Sequence, residues 1–277
     1  MNNIVQFWQL NRGVSENLLR MLRYEKTSNA FRTLEKKFCI ACSARSGSSY
    51  LTVALERYSL NVQEYFNTHG FVKQLHENHG VNTTNQFASY LVTHHSPNQV
   101  FGVKAPYEAV AVYAFLGELS TFSKEWKVVF LTRNNILRQA ISALIASLTN
   151  QWTHVMPSRY EVTEKDYDFK KILELIDSFT LQNKKWERFF SLLKVTPYRI
   201  SYERLTEQPA HELENIAKFV GVDTEKFPES HIHKPWIQSQ STAINSLWEE
   251  RFLEDCRIKL NDDYMIWTET SSDRPSR

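Results

Sequence analysis

Glycine is scarce in this chain, at 7 of 277 residues, and cysteine is scarcer, at 3. Three cysteines exclude a disulfide framework. Cys39 and Cys42 make a Cys-x-x-Cys, but no second pair exists to complete a zinc site. They sit inside an apolar run and read as buried strand residues, which fits a reducing cytoplasm. A surplus of one charge is also missing: 33 basic against 31 acidic residues leave +2. That balance argues against a nucleic-acid partner, so any anion site has to be local. No apolar run reaches the ~20 residues that cross a bilayer. Asn11, Arg12, Glu16, Asn17 and Arg20 interrupt any signal-peptide core at the N-terminus. These absences point to a soluble, cytoplasmic protein with no transmembrane segment.

Apolar residues make up 42% and charged residues 23%, with 17 Phe, 12 Tyr and 7 Trp, and such a chain buries a large core. Residues 1–37 read as an N-terminal helical extension packed on a single domain over 38–277. Within that domain, strands are expected at 38–43, 100–103, 127–132 and 198–202. Helices are expected at about 48–58, 105–119, from Arg133 to about Leu148, 168–194 and 209–220. Asn82-Thr83-Thr84 reads as a helix cap, Pro106 as a first-turn residue, and Gly221 as a helix-ending residue. Continuously apolar strands alternating with helices imply an α/β fold, a three-layer parallel sheet flanked by helices. In such sheets ligands bind beyond the carboxyl ends of the strands. Arg45, Lys104 and Arg133 are expected there, three cations on a nearly neutral protein.

The segment Phe38-Cys39-Ile40-Ala41-Cys42-Ser43-Ala44-Arg45-Ser46-Gly47-Ser48-Ser49 is a strand, a small polar turn and a helix start. That outline is a phosphate cradle, in which backbone N–H groups at a helix N-terminus face an anion. A nucleotide triphosphatase needs Gly-Lys-Ser/Thr. Here Ser48 follows Gly47, and the cation Arg45 precedes it. An ATPase also wants a strand-end aspartate for magnesium, where this chain has Thr132-Arg133. Ser142 lies about two and a half helical turns beyond Arg133. The pair suits a second phosphate, held by a guanidinium fork and a hydroxyl. Two separated anionic groups and no required metal describe 3′-phosphoadenosine 5′-phosphosulfate (PAPS).

With these motifs in order, the chain resembles the bacterial sulfotransferases typified by trehalose 2-sulfotransferase, from about residue 38 to 256. The resemblance runs through Arg45-Ser46-Gly47-Ser48-Ser49, Gln63-Glu64-Tyr65-Phe66, Gly102-Val103-Lys104 and Arg138-Gln139-Ala140-Ile141-Ser142. It continues through Gln182-Asn183-Lys184-Lys185-Trp186, Tyr202-Glu203-Arg204-Leu205 and Leu247-Trp248-Glu249-Glu250-Arg251-Phe252. It implies a P-loop-like fold of the sulfotransferase type and PAPS as cofactor, with 3′,5′-diphosphoadenosine (PAP) as product and no metal. It also implies that Arg45, Ser46, Gly47, Ser48 and Ser49 hold the 5′-phosphosulfate and that Arg133 and Ser142 hold the 3′-phosphate. Glu64 matches the general base, and a lysine such as Lys104 would stabilise the leaving phosphate. A carbohydrate or glycolipid acceptor and a homodimer are expected on the same ground. The chain departs from the family pattern at Ala105-Pro106-Tyr107 and at Asn134-Asn135, which bear on acceptor identity.

Histidines offer alternative bases: His94, His95 and His154. His231 and His233 have a metal-pair spacing without a supporting carboxylate or cysteine. Trp152 and Tyr160 in an irregular aromatic stretch over 150–166 offer a sugar platform or ordinary core packing. The rival readings are a P-loop small-molecule kinase and a non-catalytic nucleotide-binding module.

Overall fold

β1 (Lys36–Cys42) is buried at every position after the first, so neither face can meet water. Such a strand belongs at the centre of a parallel sheet covered on both sides. A computed structural model places it there, describing residues 12–25, 30–153, 156–226 and 242–272, with side chains from Gly13 to Lys259. β2 (Val62–Gln63), β3 (Val100–Ala105), β4 (Trp126–Thr132) and β5 (Tyr198–Ser201) complete a five-stranded sheet in the order β2-β3-β1-β4-β5. Every pairing is parallel, with Cys39 opposite Val103 on one side and Val128 on the other. The fold is therefore α/β with a parallel sheet flanked by helices, as expected.

The helices are α1 (Arg12–Met21), α2 (Ser48–Leu55), α3 (Phe71–His79), α4 (Thr84–His95), α5 (Val110–Phe115) and α6 (Phe122–Glu125). They continue with α7 (Ile136–Thr149), α8 (Phe169–Leu193), α9 (Tyr202–Glu207), α10 (Pro209–Val220) and α11 (Ala243–Ser272). Strand alternation sends Cys39, Ala41, Phe101, Val103, Val128 and Phe130 into one core layer. Phe38, Ile40, Cys42, Val129 and Leu131 enter the layer on the opposite face. Leu18, Leu22 and Phe31 from the N-terminal region are buried in the first of these layers. Gly102 leaves room for the Phe38 side chain of the neighbouring strand: a Cβ on it would lie 2.4 Å from the Phe38 ring.

Cys39 and Cys42 are three apart on one strand, so they enter opposite layers and both are free thiols. Burial pushes them up to about 12 and about 11 respectively, which leaves them protonated. Lys37 is also buried. Its Nζ donates to Glu118 Oε2 at 3.0 Å and to the carboxylate of Glu125, while Trp126 Nε1 donates to the same Glu118 oxygen at 2.9 Å.

Several boundaries differ from expectation. The helix expected over 105–119 is broken: β3 runs through Ala105, Pro106 is extended, and a short turn at Tyr107–Ala109 leads into α5. Gly117, at φ +74°, then ends the run. α2 stops at Leu55 and tightens into a 3₁₀ turn over Glu56–Tyr58. The Thr83 cap is a full capping box, Thr83 and Gln86 each accepting from the other's backbone N–H at 3.2 Å. α3, α6, α9 and α11 have no counterpart in the sequence reading.

Contacts divide the chain into two compact units. One comprises Met1–Asn134 with Thr180–Ile237 and holds the sheet; the other comprises Asn135–Phe179 with Gln238–Arg277. The second unit has its own core, where Ala140, Ile141 and Leu144 of α7 meet Trp248 and Phe252 of α11. Arg138 Nε donates to Glu249 Oε2 at 2.7 Å and Tyr167 donates to Asp255 at 2.7 Å, tying that unit together.

Candidate active site

Two of the expected cations, Arg45 and Arg133, lie just past the carboxyl ends of β1 and β4, and Lys104 lies near the end of β3. After β1 the chain turns through Ser43–Gly47 into α2. Arg45 and Gly47 both take positive φ, +59° and +91°. The turn is closed by Ser46 Oγ donating to Ser43 O at 2.8 Å and by Leu51 N donating to Gly47 O at 3.1 Å. Because α2 starts at Ser48, its first backbone N–H groups have no acceptor within the helix, and Gly47 supplies no side-chain cap. The strand, the tight polar turn and the helix start follow one another as the sequence suggests.

Arg133 is the first residue beyond β4. Its Nη1 donates to the carbonyl oxygen of Arg45 at 3.3 Å. Burial lowers the Arg45 guanidinium below its usual value, and the nearby Arg133 charge adds to the effect. Two like charges thus lie close together beside the turn. Tyr202, the first residue of α9, completes the wall. Its ring lies 4.8 Å beneath the Arg133 guanidinium, and a Cβ on Gly47 would meet the same ring at 2.3 Å. Glu203 accepts from Asn134 N at 3.0 Å, fastening the chain after Arg133. Below them, buried Glu212 accepts from Arg204 Nε at 2.7 Å and from the Tyr198 hydroxyl at 2.7 Å, which holds α9 against α10 and β5.

Lys104 is the penultimate residue of β3 rather than the residue after it, and it is almost wholly buried. Its Nζ reaches Glu64 Oε1 at 2.8 Å and Ser49 Oγ at 3.3 Å. Glu64 follows the edge strand β2 and is half exposed. One buried cation therefore joins the cradle to a carboxylate that solvent and ligands can reach.

Arg45, Ser46, Gly47, Ser48, Ser49, Glu64, Lys104 and Arg133 thus belong to one unit and one end of one sheet. Ser142 belongs to the second unit, half-buried on α7. Trp152 and Tyr160 are also in that unit and exposed; the Tyr160 hydroxyl donates to Asp166 at 2.8 Å. His154, His231 and His233 lie outside the described residues. Among the described residues, no three His, Cys, Asp or Glu side chains group around a possible metal ion, and no helix is long and apolar enough to cross a membrane.

The sequence reading missed Tyr202 as a site residue, although it follows β5 at the ligand-binding end of the sheet. Its position there was the available signal. His95 was considered only as a base. The structure sets it at the end of α4, in a cavity it shares with Glu64.

Residues 37–255 match the model of the Stf0 sulphotransferase family, and the chain belongs to that family. The comparison with curated proteins produces no match. Family membership makes this protein a sulfotransferase-type enzyme.

Proposed function

We propose that the protein transfers a sulfuryl group from PAPS to a hydroxyl of a carbohydrate or glycolipid. The observation that carries this reading is Lys104, which joins the accessible carboxylate of Glu64 at 2.8 Å to the cradle hydroxyl of Ser49 at 3.3 Å. A kinase built on this loop would place a lysine after Gly47 and a carboxylate after β4; Ser48 and Arg133 stand there.

PAPS supplies an activated sulfur bonded to a phosphate that leaves readily. The residues of the first unit fit it: the α2 N–H groups, Ser46, Ser48, Ser49 and Arg45 receive the 5′ end, and Arg133 receives the 3′-phosphate. Glu64 takes the proton from the acceptor hydroxyl as its oxygen attacks sulfur. The new O–S bond forms while the S–O bond to the 5′-phosphate breaks, and the electron pair stays on the phosphate oxygen. Lys104 and the cradle N–H groups stabilise that developing charge, because fixed donors in a partly dry site need no reorganisation. Tyr202 holds Arg133 in place through ring–guanidinium contact.

In this reading residues 38–277 form the sulfotransferase domain and 1–37 an accessory extension, acting in the cytoplasm, where buried thiols stay reduced. A thermal shift with PAP against ATP plus magnesium tests the donor. Stabilisation by PAP alone is expected, and stabilisation only by ATP with magnesium overturns the assignment in favour of a kinase.

A further inference from the structure

A cavity of about 410 Å³ opens beside Glu64. Its polar lining comes from Asn61, Gln63 and Asn67, and its aromatic lining from Tyr65, Phe71 and His95. The amides sit on and around β2, the edge strand of the sheet among the described residues. Asn67 uses its Oδ1 to close the turn after Glu64, accepting from the N–H groups of His69 and Gly70 at 3.0 Å each.

His95 is the last residue of α4 and comes from a different part of the chain than the rest of the lining. Its ring is fixed by Tyr65 at 4.6 Å, Phe71 at 5.3 Å and Tyr90 at 5.8 Å. One ring nitrogen of each of His69, His76 and His211 reaches a protein partner. Neither ring nitrogen of His95 does so among the described residues. Burial, reinforced by the neighbouring His94, lowers its affinity for a proton, so the ring is neutral at physiological pH. A neutral imidazole offers one donor and one acceptor, the same pair that a hydroxyl offers in return. Glu64, not His95, is tied to the cradle through Lys104, which leaves His95 free of the proton-transfer role.

We propose that His95 is an acceptor-contacting specificity residue. It hydrogen-bonds to a second hydroxyl of the molecule whose first hydroxyl faces Glu64, so the cavity selects a neutral polyhydroxylated ring over a simple alcohol. The inference rests on the sulfotransferase reading of Glu64 and deepens it. The amide rim supplies further hydrogen bonds, and Phe71 supplies an apolar wall for the ring face.

The test uses the full chain, ³⁵S-labelled PAPS, and two kinds of probe. One is a panel of methyl glycosides and neutral disaccharides, and the other is cyclohexanol, which has only the reacting hydroxyl. His95→Phe is expected to raise KM for the saccharides about 10- to 100-fold, the worth of a buried hydrogen bond to a ligand. kcat, cyclohexanol turnover and the melting shift with PAP stay unchanged, and His95→Gln recovers part of the loss. An equal loss on cyclohexanol and saccharides, or an unchanged saccharide KM, overturns the proposal. Ligand-observed NMR on the PAP-bound protein covers the case without turnover: no saccharide binding sinks the His95 inference while the PAP shift leaves the donor reading standing. Failure to bind PAP sinks both.

Discussion

Lys104 Nζ lies 2.8 Å from Glu64 Oε1, with the lysine almost wholly buried and the carboxylate half exposed. The pair couples the group proposed to take the acceptor proton to the turn proposed to receive the phosphosulfate. Replacing Glu64 with Gln keeps the shape and removes the base. Sulfate transfer should fall by about 10²- to 10⁴-fold, the usual contribution of a positioned general base, while the melting shift with PAP persists. Transfer at wild-type rate in Glu64→Gln would assign the base elsewhere.

Gly47 is irreplaceable for two reasons that act together. Its φ of +91° costs a side-chain-bearing residue about 1–2 kcal/mol. A Cβ there would also lie 2.3 Å from Cδ2 of Tyr202, and that ring is packed against Arg133. Gly47→Ala should therefore weaken PAP binding by displacing Tyr202 and Arg133, with a smaller loss of unfolding stability. Calorimetric titration with PAP checks it, and wild-type affinity in that variant would show that the cradle tolerates the shift.

The Lys37–Glu118–Glu125 cluster sits under the opposite end of the sheet and bears on stability alone. Glu118→Leu leaves Lys37 short of its buried partner and Trp126 without an acceptor, a change that costs about 3–5 kcal/mol when one member of a buried pair is removed. Urea unfolding measures it.

Glu125 adds a pH signature to the same cluster. The hydrogen bond from Lys37 holds its carboxyl below the usual range, against the opposing effect of burial. A lowered folded value means the contribution is complete above the unfolded value of about 4.3 and is lost as pH falls through the folded one. The stability gap between wild type and Glu125→Gln should narrow as pH is taken from 6 to 3. A gap that stays constant over that range would remove Glu125 from the acid limb.

Cys39 and Cys42 should resist iodoacetamide at pH 8 in the native state and react once the chain is unfolded, because burial keeps both thiols protonated. Peptide mass mapping reports this directly. Rapid native labelling of either would contradict their places in the two core layers.

The parallel sheet was legible because its central strands are apolar on both faces, a pattern that local residue order alone carries. The cradle was legible for a similar reason, since strand, polar turn and helix start are contiguous from Phe38 to Leu51. Helix ends were less so. The stretch after Pro106 carries helix-forming residues, and only the positive φ of Gly117 with the packing of β3 shows where it breaks. α3 went unread because His76, Asn78 and His79 dilute its apolar face, and Val72 and Leu75 find their burial in a distant core layer.

The sequence by itself determined the chemistry available: a cradle without a Walker lysine, a strand-end Arg133, and Glu64 on a short segment of its own. Order along the chain preserves such signals, since each depends on residues within a few positions. Tertiary structure alone decided which groups meet. Lys104 lies 40 residues beyond Glu64 and 55 beyond Ser49, and Tyr202 reaches Gly47 and Arg133 only because β5 ends beside β4. His95 likewise reaches the cavity of Glu64 because the rings of Tyr65 and Phe71 pack against the end of α4. Spacing in sequence cannot encode those distances; strand order and core packing do.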